Sequence, residues 1–330
     1  MPKMLIPKTL SILLLSRLVL CAQEVPTLST PTFSTDVRVV SLFATVRDAQ
    51  GKVVPTLTKE DFILEENGRP QTIRYFSRES GLPLTLGLLI DTSISQKRVL
   101  PAERTASYRF LIQVLRPTQD RAFVMHFDRE VELLRELTSS REELDEALAR
   151  LQTPQRPPRQ ATHRDPNIGL WALGGTALYD AILLASDEIM RKQSGRKALV
   201  LLTDGVDNGS SIGLFRAIES AQRADTLVYC ILFSDRTAYE GADASAAGRL
   251  ALQRISRQTG GALFEVSRDQ PIAAIYARLQ EELRSQYSIG YTSESPGEST
   301  GPEQNYRKIH LSTKANALVV ETRDGYYAGP

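Results

Sequence analysis

Two cysteines, three histidines and one tryptophan are spread over 330 residues, and the formal net charge is +1. Each scarcity excludes something. Cys21 lies at the end of an N-terminal leader and Cys230 in the apolar run T-L-V-Y-C-I-L-F, so a chain cut after Ala22 has no intrachain disulfide. Cys230 reads as a buried small hydrophobe. The balance of 40 Lys and Arg against 39 Asp and Glu offers neither the basic excess of a nucleic-acid binder nor an acidic solvating tail. No apolar run reaches the roughly 20 residues of a transmembrane helix. No G-x-G-x-x-G or P-loop occurs, so nucleotide binding has no motif behind it. What remains is an ordinary globular composition, 42% hydrophobic and 24% charged, long enough for one full-sized domain and a smaller one.

The leader has the layout of a secretory signal over residues 1–22. Lys3 and Lys8 precede the apolar stretch 10–20, which Arg17 interrupts, and Ala22 offers a small residue for cleavage. A lipid anchor on Cys21 is the alternative, and Leu20 argues against it by standing where a small residue is expected. Cleavage after Ala22 leaves 37 basic against 39 acidic residues. The expected location is therefore the periplasm, the cell surface or the medium. Residues 23–34, rich in Pro, Thr and Ser, read as a linker.

Residues 35–80 read as a β segment. D-A-Q-G at 48–51 is a turn signal, and E-N-G at 66–68 predicts a hairpin joining 62–65 to 71–76. From residue 82 the rhythm changes. Apolar runs at 84–90, 122–127, 198–202, 227–233 and 263–266 have the continuous character of strands buried on both faces. Between them the spacing predicts helices over 101–115, 141–151, 177–193, 214–224, 248–259 and 271–287. Ser140 and Glu143 form a capping box for the second. That alternation predicts an α/β fold over 82–287, a doubly wound, mostly parallel sheet with helices on both faces. Residues 288–330 return to β patterning. Close domain termini favour pairing of the two flanking β segments into one small sandwich, though the sequence leaves this open.

Three polar clusters stand where apolar strands or linkers meet helices: D-T-S-I-S at 91–95, G-G-T at 174–176 and T-D-G at 203–205. In a doubly wound sheet such strand ends share one edge, where ligands bind. Taken singly, each cluster is bland: an N-cap, a loop, a turn. Together they converge two carboxylates and three hydroxyls, with no His or Cys. All-oxygen donors select Mg²⁺ or Ca²⁺ over zinc or copper.

Asp91, Ser93 and Ser95 with Thr176 and Asp204 resemble the metal-ion-dependent adhesion site of von Willebrand factor type A domains, in the family's order and context. G-G-T-A-L-Y-D-A at 174–181 and L-L-T-D-G-V-D-N at 201–208 resemble a bacterial exported branch. So do D-F-x-L-x-E-x-G-x-x-Q at 61–71 and the tail Q-Y-S-x-G-Y…R-K-I…R-x-G-Y-Y-A within 286–328. The resemblance spans nearly all of the mature chain and implies a Rossmann-like fold. It also implies direct ligation of one divalent cation, Mg²⁺ before Ca²⁺ or Mn²⁺, by Ser93, Ser95 and Thr176. Asp91 and Asp204 would act through water or by switching with state, with the sixth position left for a carboxylate of a partner protein. An ion held mainly by neutral hydroxyls keeps positive charge and attracts such an anion. Gln96 departs from the small residue or Met common at its position, with no ligand lost.

Competing readings carry less. G-S-S-I-G at 209–213 matches the nucleophile elbow G-x-S-x-G, but the strand before it ends near Thr203 and only His310 follows. Ser210 and Ser211 are expected to cap the helix near Leu214. His126, in an apolar strand, reads as a satisfied histidine, and D-x-S-x-S lacks the second Asp of D-x-D-x-T phosphatases. The long loop before Gly174 carries Arg156, Arg159, His163, Arg164 and Trp171, and reads either as a plain flexible insertion or as a basic flap that helps to hold an acidic partner segment. The leading expectation is an exported, non-enzymatic protein-binding module. The alternatives are an assembly subunit of an envelope complex with a vestigial site, then a metal-assisted enzyme, which lacks a placed general base.

Overall fold

Alternation of inward and outward residues, lost at residue 84 and regained near 290, separates two kinds of sheet. The computed structural model describes residues 39–78, 81–154, 175–233, 242–293 and 306–328. The expected leader with Cys21, the linker, and the flap residues Arg156, Arg159, His163, Arg164 and Trp171 lie outside the described residues.

The first strands alternate. In β1 (Val39–Arg47), Val40, Leu42, Ala44 and Val46 turn inward while Val39 and Ser41 face out. β2 (Phe62–Glu66) turns through Asn67 and Gly68, both at positive φ (50° and 74°), into the two-residue β3 (Arg69–Pro70). This is the I′-type geometry that Asn-Gly favours. The expected hairpin partner at 71–76 is a correction: the ladder with β2 ends at Gln71, whose N–H donates to the Leu64 carbonyl (2.8 Å). The chain then crosses to another sheet as β4 (Ile73–Arg78).

The α/β part follows in order: β5 (Leu84–Asp91), α1 (Leu100–Val114), β6 (Arg121–Phe127), β7 (Val131–Thr138), α2 (Arg141–Ala149), α3 (Leu178–Leu184) and β8 (Arg196–Thr203). It continues through α4 (Leu214–Arg223), β9 (Leu227–Leu232), α5 (Ala242–Thr259), β10 (Leu263–Glu265) and α6 (Ile272–Arg284). The sheet order is β10-β9-β8-β5-β6-β7, parallel except for β7 against β6. Every residue of β5, β8 and β9 is buried, as a sheet covered on both faces requires. Helices α1, α2 and α6 pack one apolar core against it and α3, α4 and α5 the other. The doubly wound fold is therefore as expected. β7 was not anticipated, because its V-E-L-L-R-E-L-T pattern mixes charge into an edge strand. The helix expected over 177–193 holds regular α geometry only to Leu184, then widens to a π turn at Ala185–Ile189 and tightens to 3₁₀ at Met190–Lys192.

Helix α6 leads directly into β11 (Tyr287–Thr292), followed by β12 (Tyr306–Thr313), β13 (Val319–Glu321) and β14 (Gly325–Tyr327). Two antiparallel sheets result, β13-β1-β11-β4 and β14-β12-β2-β3, each built from both ends of the chain. Leu42 and Ile289 from one share a core with Leu64 and Leu311 from the other. The flanking segments thus pair with each other around one core. Among the described residues no helix is long and apolar enough to cross a membrane.

Candidate functional site

Strands β5 and β8 are neighbours, and the chain leaves them in opposite directions along the sheet, β5 toward β6 and β8 toward β9. Their carboxyl ends mark the point where strand order reverses, the place in such sheets where a crevice opens. Asp91 closes β5 and Asp204 follows β8, both buried. On the turn leaving β5, Ser93 stands at the N-cap of the single 3₁₀ turn Ile94–Gln96 and Ser95 lies within it. Thr176 stands just ahead of α3 and is also buried.

A chain of short hydrogen bonds links four of these five side chains. Ser93 N–H donates to Asp91 Oδ1 (2.9 Å). Ser93 Oγ meets Ser95 Oγ at 3.0 Å, and Ser95 Oγ donates to Asp204 Oδ2 at 2.7 Å. Thr176 is brought to the same edge by its backbone. Its N–H donates to Asn208 Oδ1 (2.7 Å), and its carbonyl accepts from the N–H groups of Asn208 (3.2 Å) and Gly209 (3.1 Å). The loop carrying Asp204 therefore grips the segment carrying Thr176. A Cβ on Gly209 would sit 3.1 Å from Thr176 N, so the close approach depends on glycine there. Gly205, at φ +83°, passes over Gly248, whose carbonyl oxygen a Cβ would meet at 2.6 Å.

Supporting roles appear that the motif did not assign. Thr203 Oγ1 donates to Asp91 Oδ2 (2.6 Å) and accepts from Gly205 N–H (3.0 Å). Gln96 Nε2 donates to Asp204 Oδ2 (2.8 Å), so the residue that departs from the common pattern orients an acid of the cluster. Ser210 Oγ accepts from the N–H groups of Tyr179 (3.0 Å) and Asp180 (3.1 Å), capping α3 from a distance. The expected capping of α4 by Ser210 and Ser211 is thus corrected: its N-cap is Gly213, and Ser211 bonds Asp180. Asp180 and Ser210 draw the loop onto α3 because the first-turn N–H groups of a helix need acceptors. His126 is satisfied, with Nδ1 2.9 Å from Thr92 Oγ1 and Nε2 3.2 Å from Glu132.

The electrostatics are those of crowded acid. Burial, and next the charge of Asp204, push the Asp91 carboxyl from 3.8 up to about 7, against the hydrogen bonds from Ser93 and Thr203. Glu103, fully buried on α1, is held well above the ordinary carboxylate range by burial and by the charges of Asp91 and Asp204. Sequence reading missed it, although its place on the buried stripe Leu100, Glu103, Ser107, Phe110, Leu111 and Val114 was a signal.

The donor set suits a hard divalent ion. An octahedral Mg²⁺ with ligands at roughly 2.0–2.1 Å holds neighbouring oxygens about 2.9 Å apart. The Ser93–Ser95 and Ser95–Asp204 separations of 3.0 and 2.7 Å straddle that spacing. Among the described residues no three His, Cys, Asp or Glu side chains gather at coordinating distance, so any ion here would rely on hydroxyls for most of its protein ligands.

Residues 86–206 match the family model for the von Willebrand factor type A domain. No curated protein sequence matches the chain. Among solved structures, proximal thread matrix protein 1 from the mussel byssus, with a zinc-occupied MIDAS motif, is 14% identical over 67% of this chain and 50% of its own, with a TM-score of 0.48. The chain thus spans about half the length of the mussel protein. A von Willebrand factor type A protein from Catenulispora acidiphila is 14% identical over 79% of this chain and 71% of its own, at a TM-score of 0.48. The vWF domain of the type V pili tip protein Mfa5 from Porphyromonas gingivalis is 13% identical over 66% and 98%, at 0.44.

Proposed function

The chain carries a von Willebrand factor type A domain, and from that premise we propose that it is an exported, non-enzymatic protein-binding module whose adhesion depends on one divalent cation, Mg²⁺ first. Asp91, Ser93, Ser95, Thr176 and Asp204 would hold the ion, and a carboxylate of the partner would complete its shell. The carrying observation is the run of oxygens from Ser93 through Ser95 to Asp204 at 3.0 and 2.7 Å, beside the buried Asp91. A bound divalent ion supplies the positive charge that attracts the partner's acid. The chain's own work is positional. Thr203 and Ser93 aim Asp91, Gln96 and Ser95 aim Asp204, and Asn208 fixes Thr176. Arg156, Arg159, Arg164 and Trp171 would line the acidic partner's approach. Export rests on the leader at 1–22. Among the described residues, Asp91 and Asp204 are both engaged with the cluster, and this supports binding over catalysis.

Thermal unfolding with and without Mg²⁺, Mn²⁺ or Ca²⁺ tests the site. At ten times the dissociation constant an ion adds about 1.4 kcal/mol, a rise of a few degrees for a domain of this size. A rise that Asp91→Ala abolishes is the expected result. Absence of any cation response in the parent protein would sink the proposal and turn attention to the paired β segments as an assembly surface.

A further inference from the structure

We propose that Glu103 is a positioning residue of the cation site: a buried third acid that orders the hydration water of the ion on its inner side and so strengthens the grip on divalent ions. The inference rests on the reading above that the Asp91 cluster takes a cation.

Glu103 occupies a place where helix packing calls for an apolar side chain. It lies on the inward stripe of α1, one turn before Ser107 and two before Phe110, and its exposure is 0%. Neither of its carboxyl oxygens has a hydrogen-bond partner among the described residues. Acids are almost never fully buried without a partner, and an orphaned one needs an explanation.

Other buried acids of the molecule show what the ordinary solution looks like. Asp120 lies 2.8 Å from Arg116, Glu66 lies 3.3 Å from Arg307, and Glu282 is joined to Arg47. Each has a guanidinium within reach. For Glu103 the charges that act are those of Asp91 and Asp204, both of its own sign. Glu103 stands in the first turn of α1, the helix that follows directly on the turn Ile94–Gln96 carrying Ser95, so it lies on the inner side of the cluster. A divalent ion is the counter-charge that the hydroxyl-rich cluster is suited to hold.

A second orphan points the same way. Gln96 Nε2 holds Asp204, while Gln96 Oε1 is buried without a partner. Glu103 and Gln96 therefore contribute three acceptor oxygens to the surroundings of the cluster and no donor that meets them. Hydration water of a cation is a donor of the right kind, polarised by the ion and satisfied by such acceptors. Since among the described residues no three acids gather at coordinating distance, Glu103 acts through water and the field, as outer partners of metal sites do.

The test is isothermal titration of Mg²⁺ and Mn²⁺ into the cation-stripped protein, with thermal unfolding of the same samples without cation. Glu103→Gln keeps the volume and removes the charge; Glu103→Ala is the second variant, and Asp91→Ala the control. The expected result for Glu103→Gln is cation affinity about tenfold weaker, with a cation-free melting temperature equal to or above the parent's. A residue that merely held the fold would not separate those two readouts. Parent-like affinity in both Glu103 variants, with the Asp91→Ala response lost, overturns this inference and leaves the cation site standing. A parent protein that binds no cation overturns both.

Discussion

Two buried acids, Glu66 in the paired antiparallel sheets and Asp91 at the edge of the parallel one, are both shielded from water and treated in opposite ways. Glu66 accepts from Tyr291 (2.7 Å), Ser293 (2.6 Å), Tyr326 (3.1 Å) and Arg307 (3.3 Å). Burial pushes its carboxyl up, but the hydrogen bonds from Ser293, Tyr291 and Tyr326 and the charge of Arg307 outweigh that and hold it below the ordinary value. Asp91 accepts from Ser93 and Thr203, yet burial and Asp204 leave it at about 7. The first acid is stapling strands β2, β11, β12 and β14 together. The second is stored in an unfavourable state that an added positive charge would relieve. Full satisfaction marks structure, and tension held in place by a rigid sheet marks a site.

The largest effect should come from the satisfied acid. Glu66→Ala strips the acceptor from two tyrosines, a serine and a guanidinium inside the sandwich, and is expected to lower stability by about 3 kcal/mol, equally with and without cation. Denaturant unfolding in both conditions checks it. A loss that cation partly reverses would break the separation between the two regions.

pH sharpens the same contrast, because the pKa shifts of the two acids run in opposite directions. Glu66 has a folded pKa below its ordinary 4.5, so its stabilisation is present above that value and lost as pH falls through the folded pKa. Asp91 has its folded pKa raised from 3.8 to about 7. Its contribution to the cation-free protein is complete below about 3.8 and is lost as pH rises toward and through 7. Saturating cation should cancel that loss, and cation affinity should itself fall below about pH 7 as protons compete for Asp91. Melting curves from about pH 2 to pH 8, with and without Mg²⁺, separate the two; a cation effect independent of pH between about 4 and 8 would contradict the assignment.

How much of this was legible beforehand differs between the regions for physical reasons. Strands β5, β8 and β9 are continuous apolar runs, and the helices between them repeat near 3.6, so the sheet and the order of its polar strand ends could be read directly. Pairing of β1 with β11 and of β2 with β12 could not, since partners more than 200 residues apart carry only weak period-two patterns. At the site, Asp91, Ser93, Ser95, Thr176 and Asp204 were visible as a motif. The contacts that Thr203, Gln96 and Asn208 make were not, because each reaches across the fold, and Glu103 went unnoticed. Glu103 alone left a trace, an acid where the α1 stripe should be apolar.

Asp91→Ala comes next in size. It removes the like-charge pair along with the candidate ligand, so stability without cation should hold or rise while the gain of about 1.4 kcal/mol at ten times the dissociation constant disappears. The corresponding change in the sandwich, Glu66→Ala, should leave that cation gain intact. Titration of the cation-induced melting shift in both variants tells the two regions apart, and a gain that survives Asp91→Ala would move the ion elsewhere.

The smallest effect tests whether the loop clasp belongs to the site or only to the fold. Asn208 Oδ1 takes the N–H of Thr176 at 2.7 Å, while the backbone bonds from Asn208 and Gly209 to the Thr176 carbonyl do not depend on the side chain. Asn208→Ala therefore leaves the loop attached and frees one N–H in a buried segment, at a cost of about 1 kcal/mol. If Thr176 is a ligand, the freed segment should also hold the cation less tightly, by less than the tenfold expected for Glu103→Gln, and Asn208→Asp, which keeps the acceptor oxygen, should recover most of the loss. Paired measurement of cation affinity and cation-free stability in the two variants decides it. A stability loss with unchanged affinity would detach Thr176 from the ion and leave the Asp91, Ser93, Ser95 and Asp204 face to hold it alone.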